Sequence, residues 1–210
     1  MSVSVPTGER AAVTPATVRE TATALFAEKG YHGTALSEIA AHLGIRTPSL
    51  YNHMRSKQDL LQEIVLDTSQ RVWSDFEGAV DGRDDVADRL REAARVYALR
   101  HATHRREALI VNRDVASLDE PVLSEVLHLR RRHERAVRGL IEEGVEQGRL
   151  SVENPRVASF GLLEMCVSVA RWFSPDGALT AEDVADEYSE FALRLSGHVD
   201  RAPARARSPR

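Results

Sequence analysis

Cysteine is almost missing from this chain of 210 residues. The single Cys166 can form no intramolecular disulfide and no cysteine-based zinc site, which suits a reducing compartment. Aromatic residues make up only 5%, and the alternating Val, Ile, Thr and Tyr runs that mark strands do not occur. With 12 Gly and 8 Pro, collagen-like and low-complexity classes are excluded. Long hydrophobic runs are lacking too. The longest apolar stretch, residues 158–173, is cut by Ser159, Gly161, Glu164, Ser168 and Arg171, so it is too short and too polar to span a bilayer. The first residues have neither the basic start nor the apolar core of a secretory leader; the expectation is a cytoplasmic chain with no membrane contact.

What is present is Ala, Leu, Glu and Arg at helical spacing, with 42% hydrophobic and 29% charged residues, and this composition predicts an all-α fold. The net charge of −4 is unevenly spread. Residues 1–60 carry six Lys/Arg against five Asp/Glu, residues 61–197 carry 18 against 26, and the last 13 carry four Arg against one Asp. A mildly positive head on an acidic body can bind phosphate through a local patch while the body resists nonspecific attachment.

Residues 1–13 show no periodicity and contain Pro6 and Gly8, as expected of a flexible arm. Thr14 then caps a helix with Pro15 at its first position; Val18, Ala22, Leu25 and Phe26 form its apolar stripe and Gly30 ends it. Thr34 is expected to cap a second helix, with Leu36, Ile39, Ala40 and Leu43 inward and Gly44 as the stop. Thr47-Pro48 restarts the chain as a third helix to about Met54, and Ser56 with Asp59 opens a fourth that runs to about Gly78. The Asp81-Gly82 turn marks a boundary between a domain over 14–78 and another over 84–197. In the latter, helices are predicted at 84–104, 107–117, 120–147, 155–173 and 181–196, the last capped by Thr180 with Asp183. Residues 198–210, rich in Arg and Pro, are expected to be a disordered basic tail.

The second and third helices, joined by a glycine-containing turn, have the lengths of a helix-turn-helix. Arg46, Thr47, Ser49, Tyr51, Asn52 and His53 gather hydroxyls, an amide, an imidazole and a guanidinium at the start and outer face of the third helix. Groups of this kind read base edges and phosphates in a major groove. Thr34 and Lys57 stand at helix N-termini, where backbone N–H groups and the dipole favour a phosphate. The same lengths also occur in surface helical hairpins that bind nothing.

Two stretches are specific enough to name a family: Gly30-Tyr31-His32-Gly33-Thr34-Ala35-Leu36-Ser37-Glu38-Ile39-Ala40-Ala41-His42-Leu43-Gly44-Ile45, and Thr47-Pro48-Ser49-Leu50-Tyr51-Asn52-His53-Met54 followed by Ser56-Lys57-Gln58-Asp59-Leu60-Leu61. Over residues 14–66 the chain resembles the DNA-binding domain of the TetR family of repressors, with Met54 where that family usually has Phe. The resemblance implies that Tyr51 and Lys57 hold phosphates, while Arg46, Thr47, Ser49 and Asn52 or His53, beside Pro48, approach bases of double-stranded operator DNA. It also implies a helical ligand-binding and dimerisation domain whose last two helices pair with those of a second subunit.

The later chain agrees with that implication. Residues 158–173 are apolar nearly all round, so this helix must be covered on more than one side. In the last helix Val184, Tyr188, Phe191 and Leu195 form one seam. On the helix from about residue 120, the face of Leu123, Leu127, Val137 and Ile141 also contains Arg130, His133 and Glu134 by phase, and Leu90 and Tyr97 share a face with His101 and His104. Burying such groups is costly unless something pairs with them. One reading is an Arg130–Glu134 ion pair with satisfied histidines; another is a pocket lined by Tyr97, His101, His104, Arg130 and His133; a lesser one is a metal site from His101, His104, His133 and Glu134.

The segment Ala170-Arg171-Trp172-Phe173-Ser174-Pro175-Asp176-Gly177-Ala178-Leu179 looks like that of TetR regulators that sense acyl-CoA thioesters, or else is a plain turn with Trp172 filling the core. On the first reading Leu90, Leu127, Val137 and Phe173 wall the acyl group, while Arg130, Arg171, His101 or His104 face the phosphates or carbonyl. The expected function is a homodimeric repressor released by a small hydrophobic effector, with no cofactor and no catalysis. An uncharged or cationic ligand complemented by Glu134 or Glu164 is the alternative. A small helical enzyme using Tyr97, His101, Arg130 and Glu134 is the rival of another class, although no nucleophile elbow, phosphate loop or dinucleotide fingerprint accompanies these residues.

Overall fold

A computed structural model describes residues 12–198. The expected arm over 1–11 and the expected tail over 199–210 lie outside the described residues. Within them the chain forms nine α-helices and one short 3-10 turn, with no strand.

The head begins with α1 (Pro15–Lys29). Thr14 and Thr17 bond reciprocally, each side-chain oxygen accepting the other's backbone N–H at 3.2 and 2.9 Å, which closes the first turn. Gly30, at φ 84°, ends the helix in a conformation that costs other residues more. α2 (Leu36–His42) starts one residue later than expected. Ala35 takes the cap position, its N–H held by the Glu38 carboxylate at 2.9 Å. Thr34 instead faces inward, 1% exposed, and its hydroxyl donates to the Gly30 and Leu25 carbonyls at 2.9 and 3.2 Å.

α3 (Thr47–Leu50) is shorter than the pattern predicts. Beyond Leu50 the backbone tightens, with Tyr51, Asn52 and His53 N–H groups bonding three residues back. The reason is packing: Leu50 and Met54 both enter the core, and Ser56 must already cap the next helix. That helix, α4 (Lys57–Val80), spans roughly 36 Å at 1.5 Å per residue. Its first half buries Leu60, Leu61, Ile64 and Val65 against α1–α3, while Phe76 near its end, with Trp73 and Val80 beside it, joins a second core. The helix therefore carries the head on the body.

The body comprises α5 (Val86–Thr103), α6 (Arg105–Asp114), the 3-10 turn Val115–Ser117, α7 (Val122–Glu146), α8 (Pro155–Trp172) and α9 (Ala181–Leu195). α5 lies at its centre, packed against α4, α7, α8 and α9. Ala93, Ala94, Ala98 and Ala102 are all buried, and their small side chains let four neighbours approach. α6 wedges between head and body and touches α1, α4, α5 and α8. Its Ile110, with Leu118 and Val126 beyond it, is buried in the core of the head. Thr180 and Asp183 form the expected capping box of α9. Among the described residues no helix is long and apolar enough to cross a membrane.

Candidate nucleic-acid face and ligand cavity

On the head, Arg46, Pro48, Tyr51 and Asn52 are exposed and Thr47, Ser49 and His53 half-buried, all within α3 and the turn that follows. Tyr51, at 56% exposure, is a large aromatic side chain left largely in water. Arg55, exposed in the same groove as Asn52 and His53, adds a cation that the helical pattern does not single out, because it lies beyond the end of α3. Lys57 does not project freely. Its ammonium lies 4.3 Å from the Tyr31 ring centroid, and burial lowers its pKa while Asp114 and Glu38 oppose that shift. Thr34 is a correction: buried, with its hydroxyl committed to two carbonyls, it offers no side chain to a phosphate.

Tyr31, to which the residues alone had assigned no role, joins several elements. Its ring supports Lys57, its hydroxyl donates to Gln58 at 2.6 Å, and its N–H reaches the buried Asp114 carboxylate of α6 at 3.4 Å. Gln58 in turn donates to the Ser117 carbonyl at 2.8 Å. Arg113 donates to the Phe26 and Ala27 carbonyls and pairs with Asp114 at 3.0 Å. Cationic side chains satisfy helix C-terminal carbonyls well, and here the cation comes from 87 residues away.

Inside the body, α4, α5, α6 and α7 enclose a cavity of about 70 Å³. Tyr97, His101, His104, Arg130 and His133 all line it, together with Thr68, Ser69, Val72, Arg100, Ala108, Val111, Asn112 and Leu129. The volume holds a few water molecules. Tyr97 packs its ring 4.7 Å from both His101 and His133, and His101 Nδ1 bonds the Tyr97 carbonyl at 2.7 Å. Burial lowers the pKa of His101 and of His133 to about 4, so both are neutral at pH 7. The same cause raises the Tyr97 pKa well above the ordinary phenol value and lowers that of Arg130.

Several expectations are corrected. Arg171 and Trp172 lie on the outer surface, Trp172 donating to the Tyr188 hydroxyl at 3.2 Å; Phe173 fills the core instead. Leu90, Val137 and Phe173 belong to the body core, and Leu127 is exposed, because the buried face of α7 runs through Val126, His133 and Val137. Arg130 is not paired with Glu134. It donates to the Val111 carbonyl at 2.6 Å, whereas Glu134 accepts from Ser159 at 3.0 Å and pairs with Arg138 at 3.7 Å. Glu134 is thereby removed from the metal reading, and no three His, Cys, Asp or Glu among the described residues are placed to hold an ion.

Outside the cavity, α8 and α9 leave Val157, Phe160, Trp172, Phe191 and Leu195 substantially exposed on two adjacent helices. Clustered exposure of large apolar groups marks a surface that another molecule covers.

Residues 18–64 match the model of bacterial regulatory proteins of the tetR family, and residues 83–196 that of the tetracyclin repressor-like C-terminal domain. The transcriptional repressor KstR2 of Mycobacterium tuberculosis is 28% identical over 179 residues, 83% of this chain and 88% of the relative. PfmR, a TetR family transcriptional regulator from Thermus thermophilus, is 32% identical, covering 84% of this chain and 97% of its own, with a TM-score of 0.75. AibR, whose crystal structure is in complex with isovaleryl coenzyme A and operator DNA, is 26% identical, covering 91% of this chain and 100% of its own, with a TM-score of 0.76. The chain belongs to the TetR family of bacterial regulatory proteins.

Proposed function

We propose that the protein is a transcriptional repressor that binds a palindromic operator as a homodimer and leaves it when an acyl-CoA thioester enters the cavity. In this reading residues 14–78 form the DNA-binding domain and residues 84–197 the ligand-binding and dimerisation domain. The observation that carries it is α6, which supplies Val111 and Asn112 to the cavity and, one residue later, Arg113 and Asp114 to the head. The cavity wall and the head contact are thus neighbouring residues at one end of this short helix, so whatever moves one moves the other.

Ligand pockets ordinarily measure about 300–1,000 Å³, so the present cavity must widen to admit an effector. Shifting α6 is the cheapest way, since it is the shortest of the four walls. The head would rotate with it, and two recognition helices set to major grooves about 34–36 Å apart would lose register. A ligand acts in this way only through its preference for the widened form.

The thioester is supported by the likeness to AibR and by charge. Arg100 and His104 line both the cavity and a neighbouring groove in which Arg19 and Arg71 are paired with Asp67 and Glu20 and Glu107 also lie, so Arg106 and His104 are the groups this route offers to the phosphates of coenzyme A. A cationic ligand finds no carboxylate in the wall, because neither Glu134 nor Glu164 lines it. Covering the apolar faces of α8 and α9 with a second copy makes the homodimer. A gel shift with fragments of the promoter region upstream of the protein's own gene, repeated with acyl-CoA esters and free CoA, tests the proposal. A two-fold footprint released by esters alone is expected; no retarded fragment, or release by free CoA, would refute it.

A further inference from the structure

The cavity wall is electrostatically one-sided. It carries Arg100, Arg130 and three histidines, and not one aspartate or glutamate. Arg100 is balanced from outside by Asp75 at 2.5 Å. Arg130 has no such contact: it makes no ion pair among the described residues, its only hydrogen bond there goes to the Val111 carbonyl, and the Glu164 carboxylate acts on it only from outside the wall. The remaining N–H groups of its guanidinium meet no acceptor among the described residues. His133, 5% exposed, lies against Phe76, Tyr97 and Trp73, lines the same space, and has no hydrogen-bond partner among the described residues. The Tyr97 hydroxyl also lacks a partner among the described residues.

Unfilled donors in a confined space, one of them permanently charged, define their complement. A hydrocarbon terminus would bury them against nothing, at the full cost of their desolvation. A carboxylate has two acceptor oxygens in one plane and matches a guanidinium edge-on. We propose that the effector carries a carboxylate at its buried end, held by the Arg130 guanidinium with His133 and the Tyr97 hydroxyl. The proposal rests on reading this cavity as the effector site, and it changes the effector from a plain acyl group to a carboxylate-terminated one. It also gives the ligand a hold on α6, because the carboxylate and the Val111 carbonyl are then joined through the same guanidinium.

The test is a calorimetric titration of the full chain with matched pairs of CoA thioesters of equal chain length. In each pair one acyl group ends in a carboxylate and the other in a methyl; the free dicarboxylic acids and free CoA complete the set. The carboxylate-ended member is expected to bind at least about tenfold more tightly, a difference typical of a charge-assisted pair. Arg130→Met should abolish that preference, and His133→Phe should reduce it. Equal or tighter binding of the methyl-ended thioesters, with operator release, would overturn the carboxylate and leave the effector site standing. Free diacids binding as tightly as their thioesters would support the carboxylate and remove coenzyme A. If no probe binds, both the carboxylate and the reading of this cavity as the effector site fall. The comparison in the unmutated protein decides by itself should Arg130→Met fail to fold.

Discussion

The guanidinium of Arg113, near the end of α6, donates to the main-chain carbonyl of Phe26, near the end of α1. A side chain of the body thus adds a second donor to the Phe26 carbonyl, which already accepts the Gly30 N–H, and also bonds the Ala27 carbonyl. Asp114 holds Tyr31 N–H from the next position, so two consecutive residues fix the angle between the head and the cavity wall.

Arg113→Ala should therefore do two things. Losing a charged donor to helix-terminal carbonyls costs on the order of 1–2 kcal/mol, which lowers the melting temperature of a chain this size by about 2–8 °C. Operator binding should persist while release by effector weakens, because the cavity no longer grips the head. Gel shifts with increasing effector measure the second effect; a variant released at the same ligand concentration as the parent would show that coupling runs elsewhere.

On the DNA face the expected effects divide by what each group touches. Tyr51→Phe and Lys57→Ala should weaken binding to every sequence, and Lys57→Ala, which removes a positive charge, should also flatten the salt dependence by about one unit. Arg46→Ala and Asn52→Ala should also relax base preference, each by roughly 1–3 kcal/mol of discrimination. Because Lys57 packs on the Tyr31 ring, Lys57→Ala should lose some stability as well, and Tyr31→Leu should weaken DNA binding without removing any charge. Filter binding across a salt series separates the classes.

Much of this was legible in the sequence because the signals were local. Thr14, Ser56 and Thr180 cap the helices they precede, and Val18, Ala22, Leu25 and Phe26 are buried as their spacing implies. Thr34 was misread because a threonine before a helix has two uses, and only the tertiary fold shows the Gly30 and Leu25 carbonyls waiting for its hydroxyl. Leu127 and Trp172 were misplaced for a related reason. An apolar side chain looks inward by default, yet the phase of α7 and the end of α8 leave these two outside. The partnership of Arg130 with a backbone carbonyl on another helix has no sequence signature at all.

Phe160→Glu and Leu195→Glu place carboxylates on the exposed apolar faces of α8 and α9, where neither side chain supports the monomer core. Each should leave the fold intact and yield a monomer, since an unpaired charge within an apolar interface is strongly unfavourable. Loss of the second half-site contact should then reduce operator affinity by a factor on the order of a hundred or more. Sedimentation velocity reads the first effect, and a dimer persisting in both variants would exclude this surface.

Stability should fall with acid in a window set by the cavity. His101 and His133 have pKa values of about 4 in the folded chain, against an unfolded value of about 6.5, so the folded state binds fewer protons between those limits. Above pH 6.5 both are neutral in either state and their contribution is fully present. As pH falls towards 4 the unfolded chain takes up protons first, and folding stability is lost progressively, by on the order of a few kcal/mol in all. The groups facing them, Arg100, Arg130, His104 and the Tyr97 hydroxyl, include no carboxylate to reverse the sign. His133→Phe keeps the aromatic packing against Phe76 and Tyr97 while removing one titrating group, so its melting temperature should decline less steeply from pH 6.5 to 4 than that of the parent. Identical slopes would mean that the acid sensitivity of the chain resides outside the cavity.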